Sequence, residues 1–131
     1  MTKEDILQVV RECLASALDI PAGSIRPESR LVDDLGADSL DLLEVTFNLE
    51  QRFKIGISPR DIERRAREAL KGAPLEVYGV YTPEALAEIR RQLPEIPASE
   101  LADGLRTVDL PRRLRVETLV NLVGQLLEAK A

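Results

Sequence analysis

The 131-residue chain has no histidine, one cysteine and a net charge of −5, so it can build neither a Ser-His-Asp nor a Cys-His triad and lacks the commonest metal ligand. A hydrophobic fraction of 44% with only 3% aromatics predicts one folded domain, an all-α bundle whose core is Leu, Ile, Val and Ala. Residues 1–51 hold 11 acidic and 4 basic residues against 12 and 14 in residues 52–131; an acidic first half repels nucleic acid and favours basic protein partners.

The chain opens on "MTKEDILQVV", without the basic start and apolar run of a secretory signal. Residues 3–18 predict a first helix, with Ile6, Val9, Val10, Cys13, Leu14, Ala17 and Leu18 on one apolar stripe and Thr2 and Asp5 as a capping pair. On that stripe Cys13 reads as a buried core residue rather than a reactive thiol. Being alone, it closes no internal disulfide, which predicts a reducing, cytoplasmic setting. Residues 19–37 form a long loop broken by Pro21, Gly23, Pro27 and Gly36, with Ile20, Ile25, Leu31, Val32 and Leu35 spaced to anchor it.

A second helix is predicted over 39–53, with Asp38 as N-cap and Leu40, Leu43, Phe47 and Phe53 on one face. Gly56 and Pro59 end it. A short basic helix follows over 59–72, with Pro59 at its first turn and Gly72 at its exit. "LEVYGVYT" (75–82) alternates like a strand, but no partner strand is evident, so it reads as extended or loop. Thr82 and Pro83 start a helix over 82–93. A Pro-rich connection over 94–111 holds a short helical turn around 98–103, and a last, largely buried helix runs over 112–130. No segment reaches the roughly 18 consecutive apolar residues of a membrane-spanning helix.

The stretch "LVDDLGADSLDLLEV" (31–45) places one hydroxyl, Ser39, among Asp33, Asp34, Asp38, Asp41 and Glu44, with Glu50 just beyond. Serine attacks well only when a base takes its proton, and no histidine is present. The second glycine of a G-x-S-x-G elbow is also absent. Ser39 could simply help to close a helix, with the acids as a solvated face. It could instead be a point of attachment, because free amides at a helix N-terminus favour a phosphate.

"LVDDLGADSLDLLEVTFNLEQRF" resembles the signature of acyl carrier proteins. The resemblance covers residues 3–57 well and returns loosely in "LRVETLVNLVGQL" near the end, where a Val after a turn starts the last helix. It implies an acyl-carrier-like four-helix bundle in a single carrier domain, 1–131. It also implies that the arginine-rich segment 58–111 is an additional helical insertion, since members usually bridge this gap with a short acidic segment. Ser39, inside Asp38-Ser39-Leu40, would carry covalent 4′-phosphopantetheine, whose thiol holds an acyl group as a thioester. Asp38, Asp41, Glu44 and Glu50 would dock partners. Those partners would be a phosphopantetheinyl transferase, then acyl synthases and acyltransferases with basic patches, in fatty-acid or related lipid or polyketide biosynthesis. The chain itself would not be an enzyme. Two alternatives stay open: a peptidyl or aminoacyl carrier, and a carrier-like domain serving only as an interaction subunit.

Overall fold

The computed structural model describes residues 1–57 and 60–130. Helices occupy Lys3–Leu18 (α1), Ser39–Phe53 (α2), Asp61–Leu70 (α3), Pro83–Gln92 (α4) and Val116–Lys130 (α5). A two-stranded antiparallel hairpin of Glu76–Val77 (β1) and Val80–Tyr81 (β2) is the only sheet among the described residues. The class is therefore all-α. The chain divides into two compact units, Met1–Ser58 with Arg115–Ala131, and Pro59–Leu114.

The first unit is α1 packed against α2 and α5. Thr2 Oγ1 accepts from the Asp5 amide at 3.2 Å, and Asp5 Oδ2 accepts from the Thr2 amide at 3.1 Å, the reciprocal capping pair that the sequence predicts. The bond from the Thr2 amide, with the Thr2 hydroxyl beside it, holds the Asp5 carboxyl below its ordinary value. α1 buries Ile6, Val10, Cys13 and Leu14; α2 buries Val45, Leu49 and Phe53; α5 buries Val116, Leu119, Val120 and Val123. Each large aliphatic side chain so buried stabilises the fold by roughly 1.5–3 kcal/mol. Burial pushes the Cys13 thiol up, in keeping with its place as a small core residue.

The 20-residue connection between α1 and α2 is held down along its length. Ile25, Leu31 and Ala37 are buried, and Arg11 Nε donates to the Ile25 carbonyl at 2.8 Å. The amides of Val116 and Glu117 donate to the carbonyls of Ser29 and Pro27, each at 2.9 Å. The loop that presents the start of α2 is thus fastened to the start of α5. Of the five anchors expected, Ile25 and Leu31 are fully buried, whereas Ile20, Val32 and Leu35 are half-buried.

The second unit has its own core of Ile62, Ala66, Leu75, Tyr81, Ala85, Leu86, Ile89, Leu93, Ile96, Leu101, Leu105 and Leu110. Thr82 caps α4, accepting from the Ala85 amide at 3.2 Å while its hydroxyl donates to the Pro74 carbonyl at 2.9 Å. A 3₁₀ turn covers Ala98–Leu101, at the place expected for a helical turn. Pro59, expected in the first turn of α3, lies outside the described residues.

Two expectations from periodicity fail. The segment 75–82 is not simply extended, because it pairs with itself: Tyr78 and Gly79 both take positive φ (52° and 80°), the turn that lets two short strands fold back on each other. The last helix begins at Val116, not at Arg112. Thr107–Arg113 is 3₁₀ and Leu114 after it is extended (ψ 141°), so an α-helix can start only beyond Leu114. Val116 is the valine that the resemblance singled out as the start of the last helix.

Tyr81 is 2% exposed, and its phenol oxygen makes no well-formed hydrogen bond among the described residues. Burial, then the charges of Glu63 and Glu76 and a weak hydrogen bond toward Glu63, push this phenol far above its ordinary value. A buried hydroxyl so poorly paired costs stability. Tyr81→Phe is therefore expected to leave urea stability unchanged or raise it by about 1 kcal/mol; a loss of that size would reveal a hydrogen bond made in solution.

Candidate functional site

The sharp feature of the first unit is the N-terminus of α2. Asp38 is its N-cap: Asp38 Oδ1 accepts from the Asp41 amide at 2.8 Å, and Asp41 Oδ2 accepts from the Asp38 amide at 3.0 Å. This reciprocal box fixes where the helix begins. Ser39 is therefore the first helical residue. Its side chain is exposed and makes no hydrogen bond among the described residues.

The approach to Ser39 is equally constrained. Arg30 N–H donates to Asp34 Oδ2 at 2.8 Å, Gly36 N–H to the Val32 carbonyl at 3.0 Å, and Ala37 N–H to the Leu31 carbonyl at 3.0 Å. Gly36 takes φ +76°, a conformation that other residues adopt only with strain. Ala37, 3% exposed, then plugs the chain into the core immediately before the cap.

The four acids picked out in the sequence have different situations. Glu44 is exposed and has no ion pair among the described residues. Asp38 and Asp41 are spent partly on each other's amides. Glu50 is half-buried, and its Oε2 accepts from the Ile57 amide at 3.1 Å, so it holds the chain as it leaves α2. Asp33 lies 3.9 Å from Arg30.

The apolar stripe expected on α2 is only partly core. Leu40, Leu43 and Phe47 are 75%, 57% and 58% exposed, while Val45, Leu49 and Phe53 are buried. α2 carries two apolar stripes, and only one meets α1 and α5. The signal was present in the sequence, because Val45, Leu49 and Phe53 alone already supply a complete core stripe at four-residue spacing. The second stripe is a surface, with Glu44 on the same side of the helix as Leu40, Leu43 and Phe47.

These residues fit a phosphodiester-linked arm. The amides of Ser39 and Leu40 lie in the first turn, where no intrahelical acceptor exists, and the positive end of the helix dipole favours a phosphate on Ser39. The hydroxyl is reachable from solvent and nothing among the described residues competes for it.

The family model described as "Phosphopantetheine attachment site" matches residues 8–66, a span that contains α2 and its capped start. The acyl carrier protein of Exiguobacterium sp. strain AT1b is 44% identical over 66 residues, which cover 50% of this chain and 84% of that protein. Identity at that level, over most of the relative's length, settles the family: the chain is an acyl carrier protein, one that carries acyl groups on covalently bound 4′-phosphopantetheine.

Proposed function

We propose that Ser39 is the residue bearing the arm, and that the chain delivers acyl thioesters to enzymes of fatty-acid or related lipid or polyketide biosynthesis. The observation that carries this reading is the exposed, unbonded Ser39 hydroxyl at the capped first turn of α2. Attachment requires the Ser39 oxygen to attack the phosphorus of coenzyme A next to the pantetheine. A new O–P bond forms, the bond to the departing 3′,5′-ADP breaks, and the serine proton passes to a base of the transferase. The arm then supplies the thiol that holds the acyl group. The chain contributes placement and recognition rather than catalysis. A cytoplasmic setting suits a buried, reduced Cys13 and coenzyme A as donor.

Docking falls chiefly to Glu44, set among Leu40, Leu43 and Phe47. Asp38 and Asp41 add charge while capping the helix, and Glu50 adds charge at the far end. Basic partner surfaces would be steered to this face. The segment 58–111 is an insertion within the single carrier domain, placed between α2 and α5.

Incubation with coenzyme A and a broad-range phosphopantetheinyl transferase, read by intact mass, tests this function. One arm per chain is expected. Glu44→Lys should slow the addition about tenfold at low salt, with the difference shrinking at high salt. A rate unaffected by Glu44→Lys at low salt would remove Glu44 from the docking face. Transfer of an aminoacyl group by an adenylating enzyme, with no transfer by an acyl synthase, would favour the peptidyl alternative.

A further inference from the structure

Apart from Met1, the exposed large apolar side chains among the described residues are Leu40, Leu43, Phe47, Val77, Tyr78 and Val108. They form two groups. Leu40, Leu43 and Phe47 flank Glu44 on α2. The other three belong to the second unit, where the Thr107 amide donates to the Gly79 carbonyl at 2.9 Å and so brings Val108 to the hairpin that carries Val77 and Tyr78. Tyr78, at the turn, is wholly exposed.

Beside this second group lies a groove of about 490 Å³ with Arg60, Arg64 and Arg67 along it and Glu76, Thr107 and Val108 also lining it. Arg64 pairs with Asp61 and Glu68, each at 3.1 Å. Arg67 is exposed and has no ion pair among the described residues. One chain thus has an acidic-apolar helix face and, in its other unit, a groove lined by three arginines, two glutamates and Val108.

We propose that the α2 face of one copy docks in the arginine groove of a second copy, head to tail. Glu44 meets Arg67, and the apolar side chains on both sides close over the pair. Glu63 and Glu76 also line the groove. They disfavour a densely anionic surface such as a phospholipid bilayer, but tolerate a helix whose carboxylates are separated by apolar positions. The contact is heterologous, so each copy keeps one unused face unless a ring closes. It would also cover the α2 surface offered to partner enzymes, which ties free docking surface to concentration and salt.

The proposal rests on reading α2 as the docking face, and the test separates the two. Sedimentation velocity of the full chain over a concentration series, at low and high salt, is expected to show weak, salt-sensitive association. Glu44→Lys and Arg67→Glu should each weaken it about tenfold. An equimolar mixture of the two variants should restore it, because every contact available between the two variants then pairs opposite charges. Absence of association, or a mixture no better than either variant alone, overturns the proposal. So does Arg67-dependent binding to phosphatidylglycerol vesicles without self-association, which would assign the groove to a lipid surface. If Glu44→Lys slows arm attachment but leaves association unchanged, the second-copy contact falls and the docking reading stands. If it changes neither, both fall.

Discussion

Ser39→Ala is expected to abolish coenzyme A-dependent mass addition completely while leaving the fold as stable as before. The first half follows from chemistry: alanine has no oxygen to form the phosphodiester. The second half follows from the surroundings of Ser39. Its hydroxyl is exposed and bonds to nothing among the described residues, and the cap of α2 is supplied by Asp38 and Asp41 rather than by Ser39. A surface substitution of this kind stays within about 0.5 kcal/mol. Intact-mass measurement and urea unfolding on the same preparation check both halves. The two serines of the preceding loop offer poor substitutes. Ser24 Oγ donates to the Pro21 carbonyl at 2.6 Å, and Ser29 Oγ accepts from the Arg26 amide at 3.1 Å, so both are engaged in turns. An arm still added to Ser39→Ala would place the attachment elsewhere and break the link between the capped helix and the cofactor.

Much of this site could be read before the fold was known, because the features that define it are local. A cap needs only residues close in sequence: Thr2 and Asp5 form the pair that the sequence suggests, and Asp38 caps α2 as expected, with Asp41 completing its box. The missing histidine directs attention away from self-activated serine chemistry without any structure. Burial was harder to read. A helix with two apolar stripes does not say which one meets the core, and Leu40, Leu43 and Phe47 turned out to be the surface stripe. The hairpin was missed for a related reason: a strand that pairs with its own continuation shows no separate partner run, and only the Tyr78-Gly79 turn betrays it. The start of α5 lies later than expected because apolar periodicity continues through Leu114, although that residue is extended after the 3₁₀ run. Charge roles split along the same line. Glu44 and Glu50 look alike in sequence, yet the Ile57 amide engages only Glu50, a contact made across a helix end.

The second unit gives the largest expected loss of stability. Leu86 sits in the middle of α4 with no exposed surface, and Ala85 and Ile89 beside it are equally enclosed. Its neighbours come from segments well separated along the chain, from Ile62 in α3 to Leu110 before α5. Leu86→Ala removes apolar burial and leaves a cavity that these neighbours can close only partly. The expected cost is about 2–5 kcal/mol. Leu86→Met keeps the volume and should cost under about 1.5 kcal/mol. The ordering discriminates between two physical pictures of the segment 59–114. If it is a packed core in its own right, the alanine variant loses several times more than the methionine variant. If the arginine-rich segment were only a solvated elaboration, both substitutions would cost little, because a loosely packed site collapses around a missing side chain. Urea unfolding of the two variants beside the wild type, with the slope compared as well as the midpoint, reads the difference directly. A loss below about 1 kcal/mol for Leu86→Ala would sink the packed-core picture.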